Sequence, residues 1–359
     1  MGDTRMSDPA QFGPSMLGRR VEAALRDVQS PKVAIRRAAA RELAPHIDSS
    51  ERARVVSRLT RLMLDDTDIE VRTSAILALL DGGATEVVDS MLAVARSGPP
   101  RIRQMALLAL GELASPAMPE AVELALEAVE SELPALRYQG LVTLRSLQQL
   151  DAIDVILRRA ADGDPEVRWV AIRLLEELWT LGTVGALDVQ SRQRLERQVQ
   201  QAVCPLVDDD NHRVRAAAIL VLSRLGDLEA RHRLPRLLEQ KGYKLGIDDE
   251  MAAIELAGQL HLQSTRAELE KRAWPWLFES ARSWKARVSL AQLGDARARR
   301  AVLDNLYSKS PVKCARAIEA AGQIGLEQAR SRLQALLANP SVYDVEAIRT
   351  ALQRLGPSP

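Results

Sequence analysis

Hydrophobic residues in this chain recur at helical spacing, and the recurrence is itself repeated. The clearest copy reads Asp164-Pro165-Glu166-Val167-Arg168-Trp169-Val170-Ala171-Ile172-Arg173-Leu174-Leu175. Val167, Ala171, Leu175 and Leu178 stand at offsets 0, 4, 8 and 11, on one face of a helix. Asp164 suits an N-cap, and Pro165 suits a first helical position that needs no N–H. Glu166 lies in the first turn, where the helix dipole favours an anion. The same frame is anchored at Ile35, Val71, Ile102, Leu136, Val167 and Val214, each followed by arginine (Arg36, Arg72, Arg103, Arg137, Arg168, Arg215). Beyond Arg215 the Val-Arg pair decays but the apolar ladder persists. Ala253, Ala257 and Leu260 fit an anchor at Asp249, and Ala286, Leu290 and Leu293 fit Arg282. Ala317, Ala321 and Ile324 fit Lys313, and Ile348, Leu352 and Leu355 fit Asp344. The anchors are 36, 31, 34, 31, 47, 35, 33, 31 and 31 residues apart. Near-equal steps of this size define a tandem repeat.

Each period has room for a second, preceding helix, such as Glu51 to Leu64, Glu120 to Glu130, Ile153 to Ala161 and Arg297 to Tyr307. Gly226, Gly294, Gly325 and Gly356 suit left-handed C-caps. The prediction is an all-α, right-handed α-α superhelix (a solenoid) of about ten helical hairpins over 18–356. Regular Val-Arg repeats fill 18–181 and 198–226, and degenerate ones fill 227–356. The long step contains an insertion at 182–197, expected to lengthen a loop and the helix after it. Residues 1–17 are rich in Gly, Pro, Ser and Asp and are expected to form a disordered tail.

Composition agrees with helix: aromatics are only 3%, and Ala, Leu, Arg and Glu dominate. A net charge of +1 offers no global attraction for a polyanion. Two cysteines in different repeats, Cys204 and Cys314, suggest no disulfide framework. No secretory h-region and no apolar run of spanning length are present, so the expected compartment is the cytoplasm.

The D-x-x-V-R-x-x-A-x-x-x-L unit resembles the HEAT repeat, and more narrowly the bacterial HEAT-like repeat found in phycobilisome lyases. The resemblance covers about residues 20 to 356 and speaks to fold more than to function. Such arrays include inert scaffolds, chromophore lyases, DNA glycosylases and a di-iron hydroxylase. The resemblance implies a polar ladder between neighbouring hairpins, carried here by Arg72, Arg168 and Arg215 with Asp68, Asp164 and Asp210. The last four repeats lack the pair, which leaves their ladder in question.

Catalytic signals are sparse. His46, His212, His232 and His261 are not within a helical turn of one another, so convergent metal ligands are not indicated. The His-Glu dipeptides of the di-iron hydroxylase do not occur. Cys204 with His212 is the one nearby soft pair, and it reads as a small thiol beside a surface imidazole. No P-loop, G-x-G-x-x-G or G-x-S-x-G is found. Trp169 and Trp284 beside Arg168, Arg173, Lys285 and Arg287 give a nucleic-acid reading some footing. Phosphate contacts ask for more basicity than this chain has.

The second helices should line a concave side. Opposite their core positions, offsets 2 and 6 carry large apolar residues in the central repeats and charged or small ones at the ends. Leu77, Leu108, Tyr138, Val142, Trp169, Leu220, Met251, Trp284 and Val288 make up this stripe. It is covered by a partner helix or peptide, by neighbouring inner helices, or by a second copy. Glu120, Glu123, Glu127 and Glu130 form an acidic stripe on a convex helix, while Lys271 to Arg300 holds eight basic and two acidic residues. Each reads as a solvated face or as a charge-steered docking site. Trp274-Pro275-Trp276-Leu277-Phe278 reads as structural packing, with Pro275 kinking its helix. The expectation is a non-enzymatic, cofactor-free scaffold or adaptor that holds a protein partner in its concave groove. The alternative is a nucleic-acid-binding or DNA-glycosylase-type protein, or a tetrapyrrole lyase-like one.

Overall fold

A computed structural model describes residues 16–149, 152–181, 188–239, 245–276, 279–338 and 343–356. The expected tail falls mostly outside these residues, as do 182–187 of the insertion and Leu277 and Phe278 of the aromatic cluster. Twenty α-helices and no strand occur among the described residues. The chain divides into two compact units, Met1–Ala186 and Leu187–Pro359.

The first unit holds α1 (Met16–Asp27), α2 (Val33–Leu43), α3 (Arg52–Asp65), α4 (Ile69–Asp81), α5 (Val88–Ser97), α6 (Pro100–Leu113), α7 (Pro119–Val129), α8 (Pro134–Ser146), α9 (Ile153–Arg159) and α10 (Pro165–Leu181). The second holds α11 (Val189–Val203), α12 (His212–Arg224), α13 (Leu228–Glu239), α14 (Ile247–Gln259), α15 (Arg266–Ala273), α16 (Ala281–Gln292), α17 (Ala296–Asn305), α18 (Pro311–Ile324), α19 (Arg330–Ala338) and α20 (Val345–Arg354). Odd and even helices pair as hairpins, and within each unit every even helix packs on the even helices before and after it. Both units are therefore all-α superhelical repeats whose even helices form an inner layer.

Local chemistry sets the inner helices. Asp68 accepts from the Glu70 and Val71 N–H groups at 2.9 and 3.0 Å, and Asp164 caps Glu166 and Val167 in the same way. In the repeat anchored at Val214 the cap is Asn211, which stands where Asp68 and Asp164 stand in theirs. Gly226, Gly294, Gly325 and Gly356 have φ of 91, 90, 68 and 77°, the left-handed conformation expected past a helix end.

The repeated arginine chiefly closes its own hairpin. Arg72 Nε donates to the Met63 carbonyl at 2.8 Å and Arg103 Nε to Ala95 at 3.0 Å. These carbonyls end the preceding helix and have no intrahelical donor. Arg36 and Arg137 also reach the next hairpin. Their partners are Asp66 and Asp162, each two residues before the capping Asp, rather than the caps themselves. Where the Val-Arg pair is missing, other donors take over the end carbonyls. Arg287 Nε bonds Ala273 O at 2.9 Å, and the buried Cys314 thiol donates to Leu306 O at 3.4 Å.

Five of the six anchors followed by arginine are buried. Val71, Ile102, Leu136, Val167 and Val214 are at most 1% exposed, but Ile35 is 37% exposed. Its helix is the first inner one among the described residues. Arg282, Lys313 and Asp344 are exposed as well, and burial in α16 and α18 begins one residue later, at Ser283 and Cys314. Inner helices also bond to each other: Thr143 Oγ1 donates to Leu107 O at 2.9 Å, and Ser289 Oγ to Ile254 O at 2.8 Å. Thr143→Val keeps the shape and loses only that bond, so a loss of about 1 kcal/mol is expected from the urea midpoint. No measurable loss would mean that this link does not stabilise the layer.

Candidate binding groove in the second unit

Four consecutive inner helices of the second unit, α14, α16, α18 and α20, enclose a groove of about 880 Å³. Met251, Glu255 and Gln259 of α14 form one wall. Arg316, Glu319 and Gln323 of α18 form the other, and Arg354 of α20 also lines the groove. The floor is α16, with Trp284 and Val288 each 8% exposed.

Charges along the walls are mostly partnered. Lys285 of α16 forms an ion pair with Glu255 of α14. Gln259 Nε2 donates to Glu255 at 3.1 Å, and Gln323 Nε2 to Glu319 at the same distance, repeating one arrangement on two helices. Arg316 places its guanidinium carbon 5.4 Å from the centre of the Trp284 ring, and its Nε is buried without a hydrogen-bond partner. The groove thus offers an apolar floor, side-chain amides on both walls and the guanidinium of Arg316 over Trp284. No His or Cys lines it, and among the described residues no group of three or more His, Cys, Asp or Glu side chains is placed to hold a metal. What it supplies is recognition: apolar contact, amide hydrogen bonds and charge.

The residues of the expected apolar stripe are distributed unevenly. In the first unit Leu77 is 37% exposed, while Leu108, Tyr138, Val142 and Trp169 are half-buried. In the second, Met251 is half-buried on the groove wall. Trp284 and Val288, opposite the core positions, are buried; of the coverings the sequence left open, packing by neighbouring inner helices fits them, since α14 and α18 both pack on α16. Leu220 is fully buried. Its helix reads Ala-Ala-Ala-Ile-Leu-Val-Leu from Ala216, and a helix apolar on all sides is covered on all sides. Arg316 was missed. The sequence does carry a signal for it: Lys285 and Arg316 occupy equivalent positions, and the residue facing back from the preceding helix is Glu255 in one case and Val288 in the other.

The charged features are locally consumed to different degrees. Glu120, Glu123, Glu127 and Glu130 are exposed as expected, and Glu130 bridges to Arg158 at 3.1 Å and to Arg159 on the next hairpin. The basic run is largely neutralised. Arg272 and Arg282 both bond Glu250, at 2.9 and 2.8 Å, and Arg287 bonds Glu279 at 2.7 Å. Burial pushes the Glu250 carboxyl up, and the hydrogen bonds from Arg272 and Arg282 more than reverse it, holding it below the usual carboxylate range. Trp274 is stacked between Arg287 and Arg297, 4.7 and 3.8 Å from its ring centre. Trp276 is 93% exposed, so the aromatic cluster does not pack as one unit. Pro275 follows the end of α15 at Ala273 and kinks no helix. Cys204 is exposed and His212 half-buried.

Tandem antiparallel hairpins stacked through an inner and an outer layer define an α-solenoid protein. Residues 20–111 and 88–176 match the family model for HEAT repeats, so 20–176 of this chain is built of HEAT repeats. No curated protein matches it in sequence. Among solved structures it is similar to Kap121p bound to Pho4p, at 14% identity over 96% of this chain and 42% of that one, with a TM-score of 0.51. It is also similar to an engineered protein (16% identity, 95% of this chain, 100% of that chain, TM-score 0.45). A third is the CpcE–CpcF complex of phycocyanin lyase from Nostoc sp. PCC7120 (17% identity, 81% and 100% coverage, TM-score 0.43). These likenesses concern the fold. No described helix is long and apolar enough to cross a membrane.

Proposed function

We propose that the chain is a non-enzymatic scaffold that holds a segment of a protein partner in the groove of its second unit. The observation that carries this reading is the groove itself: an apolar floor at Trp284 and Val288, flanked by Met251 and lined on both sides by amide and charged side chains. An extended or helical peptide can bury an apolar side chain on such a floor and satisfy its polar groups at the walls. Grooves of this volume suit a few side chains rather than a whole domain face. The half-buried residues of the first unit's inner face then serve packing, and that unit presents its acidic stripe outward.

The test is a selection of short random displayed peptides on the full chain. Met251→Glu puts a charge at the apolar wall and is expected to weaken the selected peptides about tenfold or more, by fluorescence anisotropy. Glu127→Lys, on the outer face of α7, should leave their binding unchanged. Peptides that bind both variants like the parent chain would place recognition elsewhere and sink this reading.

A further inference from the structure

We infer that Arg316 is a carboxylate reader, so that the groove selects a peptide with an acidic residue beside a large apolar one. The inference rests on the proposal that this groove holds a peptide, and it adds the chemistry of the partner. On α16, Lys285 reaches back to the previous inner helix and pairs with Glu255. One repeat later, Arg316 of α18 stands in the equivalent place. The residue equivalent to Glu255 on the helix behind it is Val288, which supplies no acceptor. The arginine lies against the Trp284 ring instead, with Nε buried and unbonded.

A guanidinium resting on an aromatic face keeps its edge donors in plane, where a carboxylate can accept two of them at once. Burial strengthens the demand, because a charged donor removed from water without an acceptor is costly. The surrounding charges do not satisfy it. Glu319, on the same helix, is engaged by the Gln323 amide. An incoming carboxylate completes the repeat pattern that Val288 interrupts, and an apolar neighbour in the same peptide falls on the Trp284–Val288 floor.

The experiment is the same peptide selection, run in parallel on the parent chain and on Arg316→Glu, Arg316→Gln and Arg316→Lys chains, with folding checked by circular dichroism. The parent chain should enrich Asp or Glu next to Leu, Phe or Trp. Arg316→Glu should enrich Lys or Arg at that position, and it should weaken the parent's peptides about thirtyfold. Arg316→Gln should lose the acidic preference, and Arg316→Lys should retain it. If the acidic preference is missing from the parent, or survives in the Glu and Gln variants, the carboxylate assignment is overturned. The groove reading still stands in that case if Met251→Glu abolishes binding. If no peptide is enriched on the folded parent chain, both are overturned.

Discussion

Replacing Asp162 by alanine is expected to destabilise the first unit by about 3 kcal/mol at neutral pH, because it strands a buried arginine. Asp162 Oδ1 and Oδ2 accept from Arg137 Nη2 and Nε at 2.6 and 2.8 Å, a two-point pair between successive hairpins. The same carboxylate accepts from Arg159 at 3.2 Å and from the Asp164 N–H at 2.9 Å. Its side chain is 2% exposed and that of Arg137 is 12% exposed. Folding takes both charges out of water, which costs several kcal/mol, and the pair about offsets this through its geometry. Removing one partner leaves the cost and cancels the offset. Burial pushes the Asp162 carboxyl up, but the hydrogen bonds from Arg137 and from the Asp164 backbone outweigh it and hold the group below its ordinary range. A folded-state value below the unfolded one, about 3.9, gives stability that is fully present above that pH. It is lost as pH falls through the folded value. The gap between the parent and Asp162→Ala in urea midpoint should therefore be widest near pH 7 and should shrink as the pH falls below about 3.9. A gap under about 1 kcal/mol at pH 7, or one that persists unchanged in acid, contradicts the assigned role. Arg36 and Asp66, at 2.7 Å and with the same direction of shift, should behave alike.

The repeat architecture could be read from the sequence because its signals are local. An N-cap, a proline at the first helical position and an apolar spacing of 4 and 3–4 act within one or two turns, and they mark the same inner helices that the structure shows. Signals that depend on a neighbour were less legible. Ile35 matches the frame perfectly and is nonetheless exposed. Trp284 and Val288 were assigned to the solvent side by counting from Arg282. The core positions counted from Arg282 hold, with Ala286, Ser289, Leu290 and Leu293 buried, but α14 and α18 pack on α16 and the opposite positions are buried as well. The repeated arginine was recognisable, but not its acceptor. Asp162 and Asp164 are two residues apart and look alike in sequence. The turn between helices aims one at the next hairpin and the other at its own helix end. Arg316 becomes informative only when α16 and α18 are laid side by side.

Gly258→Val is expected to cost about 3 kcal/mol and to disable the groove together with the fold of its wall. Gly258 sits where α14 meets α16. A Cβ added there would lie 2.7 Å from the Cα of Ser289 and 2.2 Å from the side-chain oxygen of Gln292. Gln292 can swing away, but a backbone atom at 2.7 Å cannot be accommodated without moving the helix. Separating the helices also breaks the bond from Ser289 Oγ to Ile254 O, worth about 1 kcal/mol. The opposing gain is small, since valine improves on glycine in a helix by only about half a kcal/mol. The functional consequence follows from the same displacement. Met251 and Glu255 stand on α14, and Trp284 and Lys285 on α16, so widening this contact pulls the apolar wall from its floor and strains the Glu255–Lys285 pair. Gly163→Ala is the matching control: its Cβ would meet nothing within 4 Å, and it should be close to neutral. Thermal or urea unfolding of both variants, with peptide affinity measured on the folded fraction, separates the two outcomes. A Gly258→Val chain as stable as the parent would show that α14 and α16 do not meet as closely as this glycine implies. A destabilised variant that still binds its peptide with full affinity would keep the packing and remove the groove from α14.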